Sequence, residues 1–168
     1  MKEISNRKIR SRKEKAQGMV EFAMTLPILL LLFFGIIEFG RLLFFYSVVV
    51  TSAREAARYG SAAGNAGSST AYFQDCDGIR AAALRVGNLV GLQNNGADIT
   101  ITYDDGPGTG PIGLGCPVSG TGPALDLGNR IIVTVNAAFQ PIVPIVNVPP
   151  IVLQSEAKRT ILTGVVVE

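Results

Sequence analysis

Gly18-Met19-Val20-Glu21-Phe22-Ala23-Met24-Thr25-Leu26-Pro27-Ile28-Leu29-Leu30-Leu31-Leu32-Phe33-Phe34-Gly35-Ile36-Ile37 is an apolar block with a single carboxylate just inside its start. From Phe22 to Ile37 no residue is charged, and at about 1.5 Å rise each these residues cover roughly 24 Å as a helix. That is short of a hydrocarbon core of about 30 Å. The run resumes after Glu38 and Arg41 with Leu42-Leu43-Phe44-Phe45-Tyr46-Ser47-Val48-Val49-Val50, so the whole stretch is long enough to cross a bilayer even when tilted. Glu21 at the helix mouth costs about 2.5 to 3.5 kcal/mol to desolvate on insertion scales, which makes it a functional candidate in search of a cationic partner.

Charge orients the segment. Residues 1–15 carry seven Lys/Arg against Glu3 and Glu14, whereas residues 60–168 carry five basic side chains against eight acidic ones. A basic flank before an apolar span keeps the N-terminus in the cytoplasm, so everything after the span is expected outside the cell membrane. The same basic run lacks aromatic residues and already has this orienting role, so a nucleic-acid partner is not expected. Membrane lipid is.

Working outward, Pro27 removes the amide that would bond the carbonyl of Ala23, and a bend or a melted turn is expected there. Glu38 and Arg41 share a helix face and can pair. They mark either the outer edge of the bilayer or a contact with a neighbouring subunit. The helix continues through Thr51 to Tyr59 and stops at Gly60, about 40 residues in all. Ser52, Ala56 and Gly60, with Ala53 and Ala57, form a small-residue face suited to close approach by another subunit or by the chain's own head.

Residues 61–70 read as a flexible connection. Asp77 to Val90 is amphipathic, with Ile79, Ala83, Val86 and Val90 on one stripe and Arg80, Arg85 and Asn88 off it. Ile99, Ile101 and Tyr103 alternate with threonines as a strand, and Arg130 to Phe139 reads as a second. Between them, Asp104 to Asn129 holds eight glycines and four prolines and reads as a tethered loop. Pro141, Pro144, Pro149 and Pro150 break regular pairing, and Ile151 to Leu162 returns as a last strand beside its predecessor. The expected fold is α+β: a basic leader (1–16), a long transmembrane helix (17–60), and a small external head (61–168) with one further helix and three antiparallel strands.

Cys76 and Cys116 both fall in the external part, where a disulfide persists. Pairing is expected, with two separate buried thiols as the alternative. A loop of that length would stabilise the fold by about 3 to 4 kcal/mol in the chain-entropy model. The chain has no histidine, so no Ser-His-Asp triad and no histidine metal ligand exist. Asp75-Cys76-Asp77 and Asp104-Asp105-Gly106 lack the spacing of a calcium loop, and the glycines form no phosphate-binding motif. No catalytic residue, metal, cofactor or small-molecule substrate is expected.

Ala16-Gln17-Gly18-Met19-Val20-Glu21-Phe22-Ala23-Met24-Thr25-Leu26-Pro27, then Gly35-Ile36-Ile37-Glu38-Phe39-Gly40-Arg41, then Ala53-Arg54-Glu55-Ala56-Ala57-Arg58-Tyr59 resemble the TadE-like pseudopilins of tight-adherence (Flp) pilus systems. The ending, Pro141-Ile142-Val143-Pro144 and Leu153 to Arg159, is similar less specifically. The resemblance implies a non-enzymatic, pilin-like subunit trimmed by a prepilin peptidase and needed, with other pilin-like subunits and the pilus assembly machinery, to build an adhesive pilus. It places glutamate fifth in the mature chain, which puts the cut between Ala16 and Gln17 and makes Glu21 the partner of a neighbour's freed α-amino group. Alanine then replaces the family's usual glycine before the cut. Cutting after Gly18 would restore glycine but leave Glu21 third, and an uncut chain is the remaining alternative. A membrane-anchored module that binds a protein or carbohydrate is the competing reading.

Overall fold

The computed structural model describes residues 2–67, 69–126, 128–142 and 149–162, with residues 2–16 described by their backbone alone. One helix, α1 (Lys2–Gly60), runs through the leader, the apolar block and the base of the head. At about 1.5 Å per residue its 59 residues extend roughly 90 Å. Helical structure is unbroken at Pro27, so no turn melts there: a single missing amide does not end a helix whose flanking turns are complete. The helix is longer than the expected 40 residues because the leader is helical too.

From Met19 to Tyr46 the large apolar side chains of α1 are mostly exposed, whereas Val48, Val49, Ser52, Ala53, Ala56, Ala57 and Gly60 are buried. The small-residue face is therefore covered by the chain's own head. Gly60 shows why size matters, since a Cβ there would collide with Cδ1 of Ile131.

Beyond α1, a two-residue hairpin, β1 (Asn65–Ala66) and β2 (Thr70–Ala71), occupies the expected flexible connection. Next comes α2 (Cys76–Gly87), extended by a 3₁₀ turn over Asn88–Val90. Gly91 ends it in the left-handed region at φ 78°, a conformation costly for any residue with a Cβ. The sheet follows as β3 (Ile99–Asp104), β4 (Arg130–Phe139) and β5 (Ile151–Thr160), antiparallel in the order β3-β4-β5. Ile99, Ile101 and Tyr103 stand beside Val135, Val133 and Ile131 in register, and all six are buried. With period two they fill one face of the sheet, which packs with α2 around the upper part of α1. The outer face carries Thr100, Thr134 and Glu156 on one rung and Thr102, Ile132 and Lys158 on another.

The glycine-rich segment after β3 is tied down along its length. Ile112 N–H donates to Tyr103 O (2.7 Å) and Cys116 N–H to Ile101 O (3.0 Å), so the loop lines the outer edge of β3 and shields backbone groups that would otherwise template pairing with another chain. Pro141, Pro149 and Pro150 lie between β4 and β5 as expected; Pro144 and residues 163–168 lie outside the described residues.

Candidate functional site

The positions singled out by sequence fall at three levels along α1 and the head. At the lowest, the Ala16–Gln17 bond lies in continuous helical backbone, and Gln17 Nε2 donates to Glu21 Oε1 at 3.2 Å. Glu21 is exposed, and its i, i+4 spacing from Gln17 sets the two side chains on one helix face.

Seventeen positions higher, roughly 26 Å at helical rise, is the second level. Arg41 Nη1 donates to both carboxylate oxygens of Glu38, at 2.9 and 2.8 Å. Arg41 also lies 5.1 Å from the ring centroid of Phe139 and 5.8 Å from that of Phe45, and these two rings meet edge to face at 5.1 Å. A guanidinium over aromatic faces gains the attraction of their electron-rich surface. From the far side, Ile142 N–H donates to Glu38 Oε1 at 2.9 Å. The base of the head is thus fastened to the helix where the uncharged run ends.

The third level is the head's own lock. Cys76, in the first turn of α2, and Cys116 are bonded, with Cα atoms 5.6 Å apart. Tyr103 Oη donates to Phe73 O (2.5 Å) and sits 3.1 Å from Cys116 Sγ. Burial pushes the Tyr103 phenol well above its ordinary value, so it remains a neutral donor. Gly122 lies over the bridge, where a Cβ would come within 3.2 Å of both sulfurs and of the tyrosine oxygen.

Arg80 corrects the sequence reading. Expected off the apolar stripe, it is 2% exposed, with Nε donating to Pro117 O (3.2 Å) and Nη1 to Asn95 O (3.2 Å) and Ile99 O (2.7 Å). Burial lowers its pKa, yet a guanidinium stays charged in proteins. Three carbonyls from three segments spread that charge, so Arg80 holds α2, the disulfide loop and the start of β3 together. Helical periodicity could not reveal this, because the acceptors are backbone atoms of distant segments.

Two other ties were also missed. Asp75 caps α2, accepting from Gly78 N–H (3.0 Å) and from Tyr59 Oη (2.6 Å); an aspartate ahead of a helical run was the available signal. Asp104 and Arg130, opposite one another on β3 and β4, form a two-point ion pair at 2.7 and 2.6 Å. Asp75 and Asp104, one aspartate from each of the considered calcium loops, are thereby committed to protein donors. Among the described residues no group of three or more His, Cys, Asp or Glu converges.

The arrangement offers an exposed apolar rod, a fastened collar and a locked head. Among the described residues, one helix, over residues 17–60, is long and apolar enough to cross a membrane. No curated protein and no solved structure matches the chain. Residues 16–58, which run from the mouth of the apolar helix into its buried end, match the family of TadE-like proteins.

Proposed function

We propose that the chain is a pilin-like subunit that helps assemble a tight-adherence pilus, anchored in the cell membrane with its basic N-terminus in the cytoplasm and its head outside. The observation that carries this is the placement of the TadE-like match. It lies on one helix that is bare and apolar below and buried in the head above, the division of labour a helical array of subunits requires.

On this reading a prepilin peptidase cuts between Ala16 and Gln17. The bond lies within a helix, so the peptidase must unwind about one turn to reach it. The new α-amino group of one copy then meets Glu21 of the next in a low-dielectric setting, where their attraction is weakly screened.

Glu21→Gln tests the proposal, with membrane levels and surface pili measured in the same strain and N-terminal sequencing of the membrane form. The variant removes the charge and lowers the insertion cost. Membrane levels should hold and pili should fall. Normal pili would reduce Glu21 to an interfacial residue, and a membrane form beginning elsewhere than Gln17 would displace the cut.

A further inference from the structure

The uncharged run from Phe22 to Ile37 is too short, at roughly 24 Å, for a hydrocarbon core of about 30 Å. A bilayer around α1 that holds Glu21 at its inner boundary therefore reaches the level of Glu38 and Arg41, whose charges neutralise one another. At that level the head has already begun. Ile142 is bonded to Glu38, and Phe139 packs on Phe45 and Arg41. Phe139 is also paired with Ile151, and Ala138 with Val152, so one end of the sheet lies beside the collar.

Among the described residues, that end carries exposed aliphatic side chains. Ile142 is 69% exposed, Ile151 43% and Val152 68%. Val152 stands on the outer face of the sheet, whose other positions on the same strand are Gln154, Glu156 and Lys158. Along β5 the outward side chains thus change from polar, through Thr160, Lys158, Glu156 and Gln154, to aliphatic at Val152 on approaching the collar. Ile151, paired with Phe139, and Val152, paired with Ala138, point to opposite faces, so this end of the sheet exposes aliphatic side chains on both. Exposed apolar surface calls for a partner, and the bond from Ile142 to Glu38 sets this end beside the exposed apolar side chains of α1.

We infer that the collar end of the sheet, marked by Ile142, Ile151 and Val152, rests in the lipid interface beside the anchor. The bilayer surface is then a second partner of this chain, bound by the head. The contact fixes the height and rotation of the head over the membrane, which one helix alone leaves free. The inference depends on the anchoring proposed above, and its test separates the two.

The chain contains no tryptophan, so a single substitution supplies the only indole. Full-length Val152→Trp, Ile142→Trp, Phe33→Trp and Leu114→Trp proteins are placed in phosphatidylcholine vesicles brominated near the headgroup end of one acyl chain. Their emission is compared with that in unbrominated vesicles. All four positions are exposed, so none requires the core to repack. Phe33 reports the anchor, and Leu114, at the fully exposed tip of the disulfide loop, reports the aqueous part of the head.

Quenching of V152W and I142W to an extent comparable with F33W, with L114W unaffected, is the expected result. If V152W and I142W are as unaffected as L114W while F33W is quenched, the inference is wrong and the anchor stands. An unquenched F33W removes both. Blue-shifted but unquenched emission from V152W that strengthens at high protein-to-lipid ratio assigns the patch to a second copy of the chain and also overturns the inference.

Discussion

The Tyr59 hydroxyl donates to the Asp75 carboxylate at 2.6 Å, joining the last turn of α1 to the residue that caps α2. The same carboxylate accepts from Gly78 N–H through its other oxygen, so one side chain ends one helix junction and begins another. Tyr59→Phe should cost about 1 to 2 kcal/mol, in the range for a bond to a charged acceptor that is partly shielded from water. Asp75→Ala should cost about 0.5 to 2 kcal/mol more, because it also removes the cap. Urea unfolding of the head in detergent checks both, as shifts in midpoint at constant slope. The double variant should lose less than the sum; full additivity would show that the two residues do not act through each other.

Arg80 carries a second expectation. Arg80→Met keeps much of the volume but leaves the buried carbonyl of Ile99 without its side-chain donor, at about 1 to 3 kcal/mol, and removes the part-buried bonds to Asn95 and Pro117, at about 0.5 to 1.5 kcal/mol each. The expected total is a loss of about 3 kcal/mol or more in unfolding free energy. Arg80→Lys should recover only part of it, since an ammonium lacks the planar fork that reaches diverging acceptors. A lysine variant as stable as the parent would reduce the role of Arg80 to its charge.

Acid should loosen the head through Asp104. Its hydrogen bonds from Arg130 hold the carboxyl below its ordinary value, against an opposing effect of burial. A carboxyl whose folded pKa is depressed contributes stability that is present above its unfolded value, about 3.9, and is lost as pH falls through the folded value. Asp104→Asn should therefore be less stable than the parent at neutral pH, and the gap should close in acid. Urea midpoints of the two proteins compared from about pH 7 to about pH 2 test this, the window being set by carboxyl ionisation. A gap that stays constant down the series would mean that the pair contributes nothing specific to the charged state.

Much of the architecture was legible because it follows local periodicity. Arg130 to Phe139 sets Ile131, Val133 and Val135 on one face and Ile132, Thr134 and Asn136 on the other, and it forms a strand with those bounds. The apolar helix, the amphipathic α2 and the returning last strand are read on the same basis. The two cysteines were readable from their shared side of the anchor. What escaped depends on contacts between segments far apart in sequence. Arg80 looks like a surface residue until three distant carbonyls surround it, and Ile142 meets Glu38 only because β4 ends beside the collar. The small hairpin at Asn65–Ala66 and Thr70–Ala71 was hidden by composition, since a Gly-Ser-rich stretch resembles a linker whether or not a backbone pair closes it. At the candidate site, Glu21 and Glu38 stood out as carboxylates in an apolar run, whereas the aromatic and backbone partners of the collar had no local signal.

The 59-residue α1 is bare and apolar over its lower part and belongs to the protein core at its upper end, and no linker separates the two. Val48, Val49, Ala53, Ala56 and Ala57 are core residues on the same rod whose lower side chains are bare. Force applied to the rod therefore reaches the sheet without slack: sliding the anchor by one residue would raise or lower the head by about 1.5 Å, and twisting it would turn the sheet by the same angle. A soluble head made by trimming the chain anywhere beyond Ser47 would lose part of its own centre. Extraction of such a subunit from the membrane, whatever drives it, is consequently felt by the head as a rigid pull from within its core.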